Sequence, residues 1–492
     1  MESGKDRRIS HREHLKAPMA HVPTKITPVE ETAFAGTHGI AEKTFSICRK
    51  GFVFLLTSEW FYLGIILLIG LLLRAWYLSE IVHAPDFAAP QQDADVQDYH
   101  ARAMATGDWT VRPGENDPEI RTTPYFRPPG YPYYLSVIYS LTGGSYMAPR
   151  IVQLLLGLAS VVLIYLLARG VFGPLAALSA AFLQSIYWGF IYWEGELNDP
   201  ALFVFLGLLL MHMLRLWRLK MTFMRAFAAG ILVGAYALMR PNILLFGPFI
   251  AAWMLWVAWR RKNWKRMIPA WIALALAPFL MIAPVTIRNY LVSGEFVPIS
   301  TYFGENFLIG NGEDSDGITP WTPYLQELEG TGRWSVWVYV NVVKGLGKQL
   351  GRPDLGHAEA SSYFFRKGLD YAKAHKMRTL KLAIKKAVLF WSPLEITCNK
   401  VVQDEKDFYR PLKYLPGFSL LTGLFAGGCG LLALGLFRRR STPWPDGAGD
   451  MIVLALAFVA VYYLSFIPFF VNGRARVPTE VNPDDPTGWH AQ

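Results

Sequence analysis

Charge is what this sequence has least of. Only 17% of its 492 residues are Asp, Glu, Lys or Arg, against about 25% in a soluble domain, while 52% are apolar and 14% aromatic. That leaves too little polar surface to cover a water-soluble globule. Cysteine is almost absent. Cys48, Cys398 and Cys429 are odd in number, scattered and without CxxC spacing, which supports neither a disulfide framework nor a zinc site. There is no Walker A loop, no GxSxG and no HExxH, so ATP-driven transport, serine hydrolysis and zinc proteolysis have no support. Residues 1–50 lack the apolar core of a signal peptide. They are polar, with Lys5, Arg7, Arg8, Arg12 and Lys16, and read as a disordered basic cytoplasmic tail. His11, His14 and His21 there could bind a metal, but a solvated tail accounts for them better.

Long apolar runs are what the sequence does have. They fall near residues 59–79, 150–168, 173–192, 200–217, 224–240, 242–259, 267–287, 414–436 and 451–471. A helical span needs about 20 such residues, so the expected fold is all-α and polytopic, with about nine transmembrane helices. Basic residues follow the second run (Arg169), the fourth (Arg215, Arg218, Lys220, Arg225), the sixth (Arg260, Arg261, Lys262, Lys265, Arg266) and the eighth (Arg438, Arg439, Arg440). With a cytoplasmic N-terminus all four clusters fall inside, as the positive-inside preference requires. The net charge of +10 therefore reads as topology and lipid-phosphate contact, not nucleic-acid binding. This orientation needs YPYYLSVIYSLT, residues 131–142, to lie in the interface instead of crossing.

The resulting organisation is a tail (1–50), an N-terminal transmembrane module (51–287) holding the outward loop 80–149, and a second outward loop (288–413). A C-terminal hairpin (414–476) and a polar tail (477–492) complete it. Within the second loop, LKLAIKKAVLFW (380–391) is interrupted by Lys385-Lys386 and is expected to form a juxtamembrane amphipathic helix. No internal repeat of the kind found in transporters is visible.

The outward loops carry the candidates for chemistry. Asp93, Asp95 and Asp98 lie within six residues, just past the first span. They suit a general base, or a metal if two or three converge; a solvated acidic loop with helix caps reads the same way. Arg127, before Pro128-Pro129-Gly130, sits at phosphate depth on a stiff turn and can hold a phosphate bidentately, or can simply snorkel. Glu194, Glu196 and Asp199 mark the turn between the third and fourth spans, where Asp199-Pro200 can equally start a helix. Arg240 and Arg288 end spans on the outer side, against the usual preference, as do Arg474 and Arg476; together they could cradle an anionic lipid-linked substrate. Asn306 and Asn311 sit in a Gly-rich stretch that would admit a sugar or phosphate, or be merely flexible.

Taken in order, DxxDYHxxA, GDW, RPPGYP, NDPALF, ALMRPN, APVTIRNYLVSGEFVPIS, FGENFLIGN, FWSP and GRARVP resemble landmarks of bacterial membrane glycosyltransferases of family 39. These belong to the dolichyl-phosphate-mannose–protein mannosyltransferase superfamily, with the GT-C fold. The resemblance spans roughly residues 60–480. It implies a GT-C-type bundle in the bacterial inner (cytoplasmic) membrane, working on the extracytoplasmic face. The implied reaction is inverting transfer of a sugar from a polyprenyl-phosphate donor to a lipid, polysaccharide or protein acceptor. By the resemblance Asp95, four residues before Tyr99, is the catalytic acid of the first loop, with Asp93 the runner-up. Arg127 then contacts phosphate, Asp199 and Glu194 help to place sugar or acceptor, and Arg240 and Arg288 match the RP and RN pairs, which can equally be structural and tie span ends to loops. Two features depart from the family. Val96 stands where many relatives carry a second acid, so a paired carboxylate or divalent-metal site there is without support; no cofactor is certain, and a divalent metal stays open. The chain also ends soon after GRARVP, where relatives continue into another span, which points to a naturally short or a truncated C-terminus. The competing expectations are a transporter or flippase of a similar lipid, and a non-catalytic relative of the enzyme.

Overall fold

The computed structural model describes residues 58–330, 336–392, 402–437 and 447–471. Cys48, Cys398, Arg474, Arg476 and the GRARVP segment lie outside them. The chain divides into two compact units, Met1–Phe61 and Tyr62–Gln492. The first is almost wholly outside the described residues, and every contact below lies within the second.

The described residues form helices, with no strand among them. In chain order they begin with α1 (Glu59–Ile81), α2 (Asp93–Thr106), α3 (Gly130–Thr142), α4 (Met147–Phe172) and α5 (Pro174–Ile186). Then come α6 (Trp188–Gly195), α7 (Pro200–Leu219), α8 (Phe223–Ala237), α9 (Gly247–Arg260) and α10 (Met267–Ser293). The second half holds α11 (Phe303–Asn311), α12 (Pro323–Glu329), α13 (Tyr339–Gln349), α14 (His357–Ala374) and α15 (Lys376–Trp391). It closes with α16 (Val402–Phe408), α17 (Arg410–Lys413), α18 (Phe418–Phe437) and α19 (Ala448–Phe466).

Among the described residues, seven helices are long and apolar enough to cross a membrane, and the pair α5–α6, bent by 48°, makes an eighth if counted as one span. The chain is thus an all-α polytopic membrane protein. Two of the nine expected runs differ from a simple span. The run at 173–192 breaks at Tyr187, whose extended backbone (φ −68°, ψ 116°) separates α5 from α6. The run at 224–240 yields only the 15-residue α8, about 22 Å long, because Pro241 holds Arg240 extended and the chain turns into a 3-10 helix. α8 lies against α10 with almost no gap. A β-carbon on Gly230 would meet that of Ala277 at 2.8 Å, and one on Gly234 would meet that of Met281 at 2.6 Å, so this GxxxG stripe lets the backbones close up.

α3 is 13 residues long and does not qualify as a span. It buries Tyr131, Leu135 and Tyr139 against α2 and the turn before α7, and leaves Val137 and Leu141 exposed. The amphipathic α15 forms as expected, and its two lysines have work inside the protein. Lys386 is fully buried and donates to Gly310 O (2.9 Å) and Asn311 Oδ1 (3.2 Å), while Lys385 donates to Asp316 O (2.7 Å). A cation thereby meets the carbonyl end of α11. Burial brings the Lys386 amine down to about 8.

Buried ion pairs fix the helices to one another. Arg74 of α1 meets Glu194 of α6 through two bonds, Nε–Oε2 2.6 Å and Nη2–Oε1 2.9 Å, both side chains almost fully enclosed. Gly157 of α4 makes the room, since any β-carbon there would collide with the Glu194 carboxylate. At the opposite end of the bundle Asp450, at the start of α19, receives Arg218 Nε at 2.8 Å and Arg260 Nη1 at 3.2 Å. Removing one partner of a buried pair costs about 3–5 kcal/mol, whereas an apolar replacement of both is often neutral. Arg74→Ala is therefore expected to lower the thermal unfolding temperature in detergent markedly, and Arg74→Met with Glu194→Leu to recover most of the loss.

Candidate active site

α2 begins at Asp93 and carries the acidic cluster in its first two turns. Each carboxylate faces a different partner. Asp93 Oδ1 lies 2.5 Å from Arg127 Nη1. Asp95 Oδ1 lies 2.5 Å from Arg112 Nη1, and its Oδ2 accepts from the Trp337 indole at 3.1 Å. Asp98 is the most enclosed, held by Arg102 Nε (2.9 and 3.0 Å), Tyr139 Oη (2.6 Å) and Tyr146 Oη (3.2 Å). Asp98 is thus a packing anchor between α2 and α3. Asp95 is buried yet keeps one partner, Arg112, whose side chain is 44% exposed. Burial raises the Asp95 carboxyl above the ordinary aspartate range, opposed by the Arg112 cation and the Trp337 hydrogen bond.

Arg127 stands on a rigid support. Phe126 stacks on Tyr339 with ring centroids 3.3 Å apart, Pro128 and Pro129 follow, and the guanidinium lies 5.3 Å from the centre of the Tyr302 ring. Trp337 and Tyr339 come from one short segment of the second loop, so the same element closes over both Asp95 and Arg127. The Asp95 and Arg288 neighbourhoods are joined as well. Arg288 Nη1 donates to Thr123 O at 2.8 Å, its Nη2 to Ile120 O, and its guanidinium caps the Tyr125 ring. Loops 80–149 and 288–413 therefore meet at one end of the bundle.

The other expected residues are occupied in different ways. Tyr99 gives its hydroxyl to Trp109 O and packs on Trp337. Arg240 grips Asp199 bidentately (2.8 and 3.0 Å) above the Phe203 ring. Glu194 is sealed with Arg74 instead of opening onto the outer mouth. Arg288, with its neighbour Asn289, stitches the end of α10 to both loops: Asn289 accepts from Tyr125 N and donates to Val297 O and Ile299 O, each at 3.1 Å. Asn306 bonds Tyr302 O four residues back, and Asn311 bonds Phe307 O and Pro468 O while accepting from Lys386. These geometries tie span ends to loops.

Four neighbours of the site are not singled out by the sequence. Arg112 and Trp337 touch Asp95 from 17 and 242 positions away, and no spacing rule connects them. Glu305 is buried beside the same aromatic support, accepts the Tyr339 hydroxyl at 2.6 Å, and is pushed up to about 7 by burial. Its position between Gly304 and Asn306 in FGEN was the one available signal. His100, between the Trp109 and Tyr125 rings, is held down to about 3 by burial and then Arg288, so near neutral pH it is uncharged. Among the described residues no group of three or more His, Cys, Asp or Glu side chains converges as a metal ion would need.

The family model described as Dolichyl-phosphate-mannose-protein mannosyltransferase matches residues 126–287. That segment, about a third of the chain, starts at Phe126 and takes in Arg127, Glu194, Asp199 and Arg240, but stops short of Arg288 and excludes α2. Together with the apolar helices it supports a membrane glycosyltransferase of the mannosyltransferase-like kind. No curated protein matches the chain.

The Asn289 knot supplies a test of which groups merely hold the site. Asn289→Ala strands buried backbone partners at about 1–3 kcal/mol each. It is expected to lower the unfolding temperature while leaving the transferase activity of the folded fraction within about twofold.

Proposed function

We propose that this chain transfers a sugar, with inversion, from a polyprenyl-phosphate-linked donor to an acceptor hydroxyl. The reaction takes place on the extracytoplasmic face of the bacterial inner membrane, with the N-terminus in the cytoplasm. The observation that carries the reading is the pairing of a buried carboxylate, Asp95, with cationic groups at the loop end of a hydrophobic bundle. The acceptor could be a lipid, a polysaccharide or a protein. Its hydroxyl loses a proton to Asp95 while its oxygen attacks the anomeric carbon. The bond to the donor phosphate breaks on the opposite face, and Arg127 holds the departing charge. A positioned base contributes about 10²–10⁴-fold, and fixed cations on the leaving group add to it. Asp93, engaged by Arg127, is the second candidate for the base. Asp199 and Arg240 neutralise each other over Phe203, and Phe203 in turn lines an apolar cavity of about 220 Å³ with Phe190, Val204, Phe390, Trp391, Phe418 and Tyr462, which suits an isoprenoid chain. A flippase reading has less support, because Arg74 and Glu194, ionisable groups within the spans, are sealed against each other.

In nanodiscs, the wild-type protein is expected to release polyprenyl phosphate from a polyprenyl-phosphate sugar. Asp95→Asn is expected to reduce turnover by about 10²-fold or more with unchanged unfolding temperature; full activity in that variant, alongside loss in Asp93→Asn, assigns the base to Asp93. The base must be ionised, so kcat/KM is expected to fall as pH drops through a limb lying above the usual aspartate value. Trp337→Phe removes a hydrogen bond that favours the ionised form, and its acid limb is expected at higher pH than that of the wild type.

A further inference from the structure

The two arginines at the carboxylates are built differently. Arg127 is fixed between a stacked Phe126 and two prolines, with a side chain 23% exposed. Arg112 sits in an irregular stretch between Gly107 and Gly114, both with positive φ (79° and 92°), and its side chain is 44% exposed. Its Nη1 is 2.5 Å from Asp95 and its Nη2 is 3.5 Å from Asp98. Asp98 does not depend on that contact, since Arg102, Tyr139 and Tyr146 already hold it. Asp95 does: among the described residues, without Arg112 it keeps the Trp337 hydrogen bond and no other cation.

This arrangement poses a chemical conflict. A carboxylate in contact with a guanidinium is a poor proton acceptor, because the cation stabilises its ionised form. Moving the cation away leaves the burial of Asp95 unopposed by it and makes the carboxylate the stronger base. A phosphate group, like a carboxylate, offers a guanidinium two oxygens to grip, and its charge grows when the glycosidic bond breaks.

Resting on the glycosyltransferase reading above, we propose that Arg112 is a phosphate-responsive latch on Asp95. When the donor phosphate arrives, the guanidinium passes from Asp95 Oδ1 to the phosphate oxygens, so one movement both clamps the leaving group and frees the base. Donor binding then precedes activation of the acceptor. The acceptor hydroxyl proton goes to Asp95, the acceptor oxygen bonds to the anomeric carbon, and the electron pair of the broken bond leaves with the lipid phosphate. That phosphate carries one more negative charge than the donor did, shared by Arg112 and Arg127. Asp95 then gives its proton to water, the lipid phosphate departs, and Arg112 returns.

The latch makes Asp95 and the phosphate rivals for one cation, which a binding cycle without turnover can read. The probe is a polyprenyl monophosphate carrying no sugar, titrated at constant ionic strength into nanodisc-embedded protein. Arg112→Gln is expected to weaken binding about tenfold, and Arg112→Lys by less, since a charge remains without the fork. Asp95→Asn is expected to tighten binding several-fold in the Arg112 background and to leave it unchanged in the Arg112→Gln background. Tightening of equal size in both backgrounds means that Asp95 acts only by its own charge, and overturns the latch. So does unchanged or weaker binding in Asp95→Asn. Wild-type protein that transfers sugar but shows either pattern keeps the enzyme and loses the latch; wild-type protein that binds no polyprenyl phosphate loses both.

Discussion

A charge inside an apolar bundle has to meet its opposite, and this requirement organises the molecule. Leaving one guanidinium or carboxylate alone in a low-dielectric interior costs several kcal/mol, and three ion pairs here close across segments far apart in the chain, while Lys386 is met by a carbonyl and an amide oxygen. Arg74 reaches Glu194, Arg240 reaches Asp199, and Arg218 reaches Asp450. These pairs leave little freedom in how the spans pack. They also remove most of the ionisable groups from contention for chemistry, because a group gripped on two sides cannot also serve a substrate. At the loop end, what stays available is Asp95 with the half-exposed Arg112, and next to it the rigidly held Arg127.

The site is therefore a matter of surplus. α2 presents three carboxylates; Asp98 is spent on holding α2 to α3, and Asp93 on Arg127. The second loop contributes an indole to Asp95 and an aromatic platform to Arg127 from residues only two apart, Trp337 and Tyr339. A shift of that segment would disturb the base and the phosphate contact together. Glu305, buried beneath the platform through its bond to Tyr339, lies in the same support.

Much of the architecture was legible in the sequence, for a physical reason. A run long enough to cross a bilayer is a local property, as is the basic cluster beside it, so the spans could be read from composition in a short window. The acidic first loop and the stiff turn after Arg127 were legible on the same basis. The break at Tyr187 was not, because neither Pro nor Gly marks it. Nor were the partners: Arg74 and Glu194 are 120 residues apart, Arg218 and Asp450 are 232 apart, and pairing at such distances is decided by packing. That is why Glu194 and Arg288 read as open, substrate-facing groups and turn out to be occupied. The length of the fifth run misled similarly, since its last three residues form a turn that Pro241 imposes one step later.

The indole over Asp95 also has a bearing on biogenesis. Synthesis runs from the N-terminus, so α2 and its carboxylates are made some 240 residues ahead of Trp337. Until that later segment arrives, the nascent chain holds the acids and Arg127 without their aromatic cover. The pocket is finished only when most of the protein has been made, so a prematurely terminated product is an incomplete one.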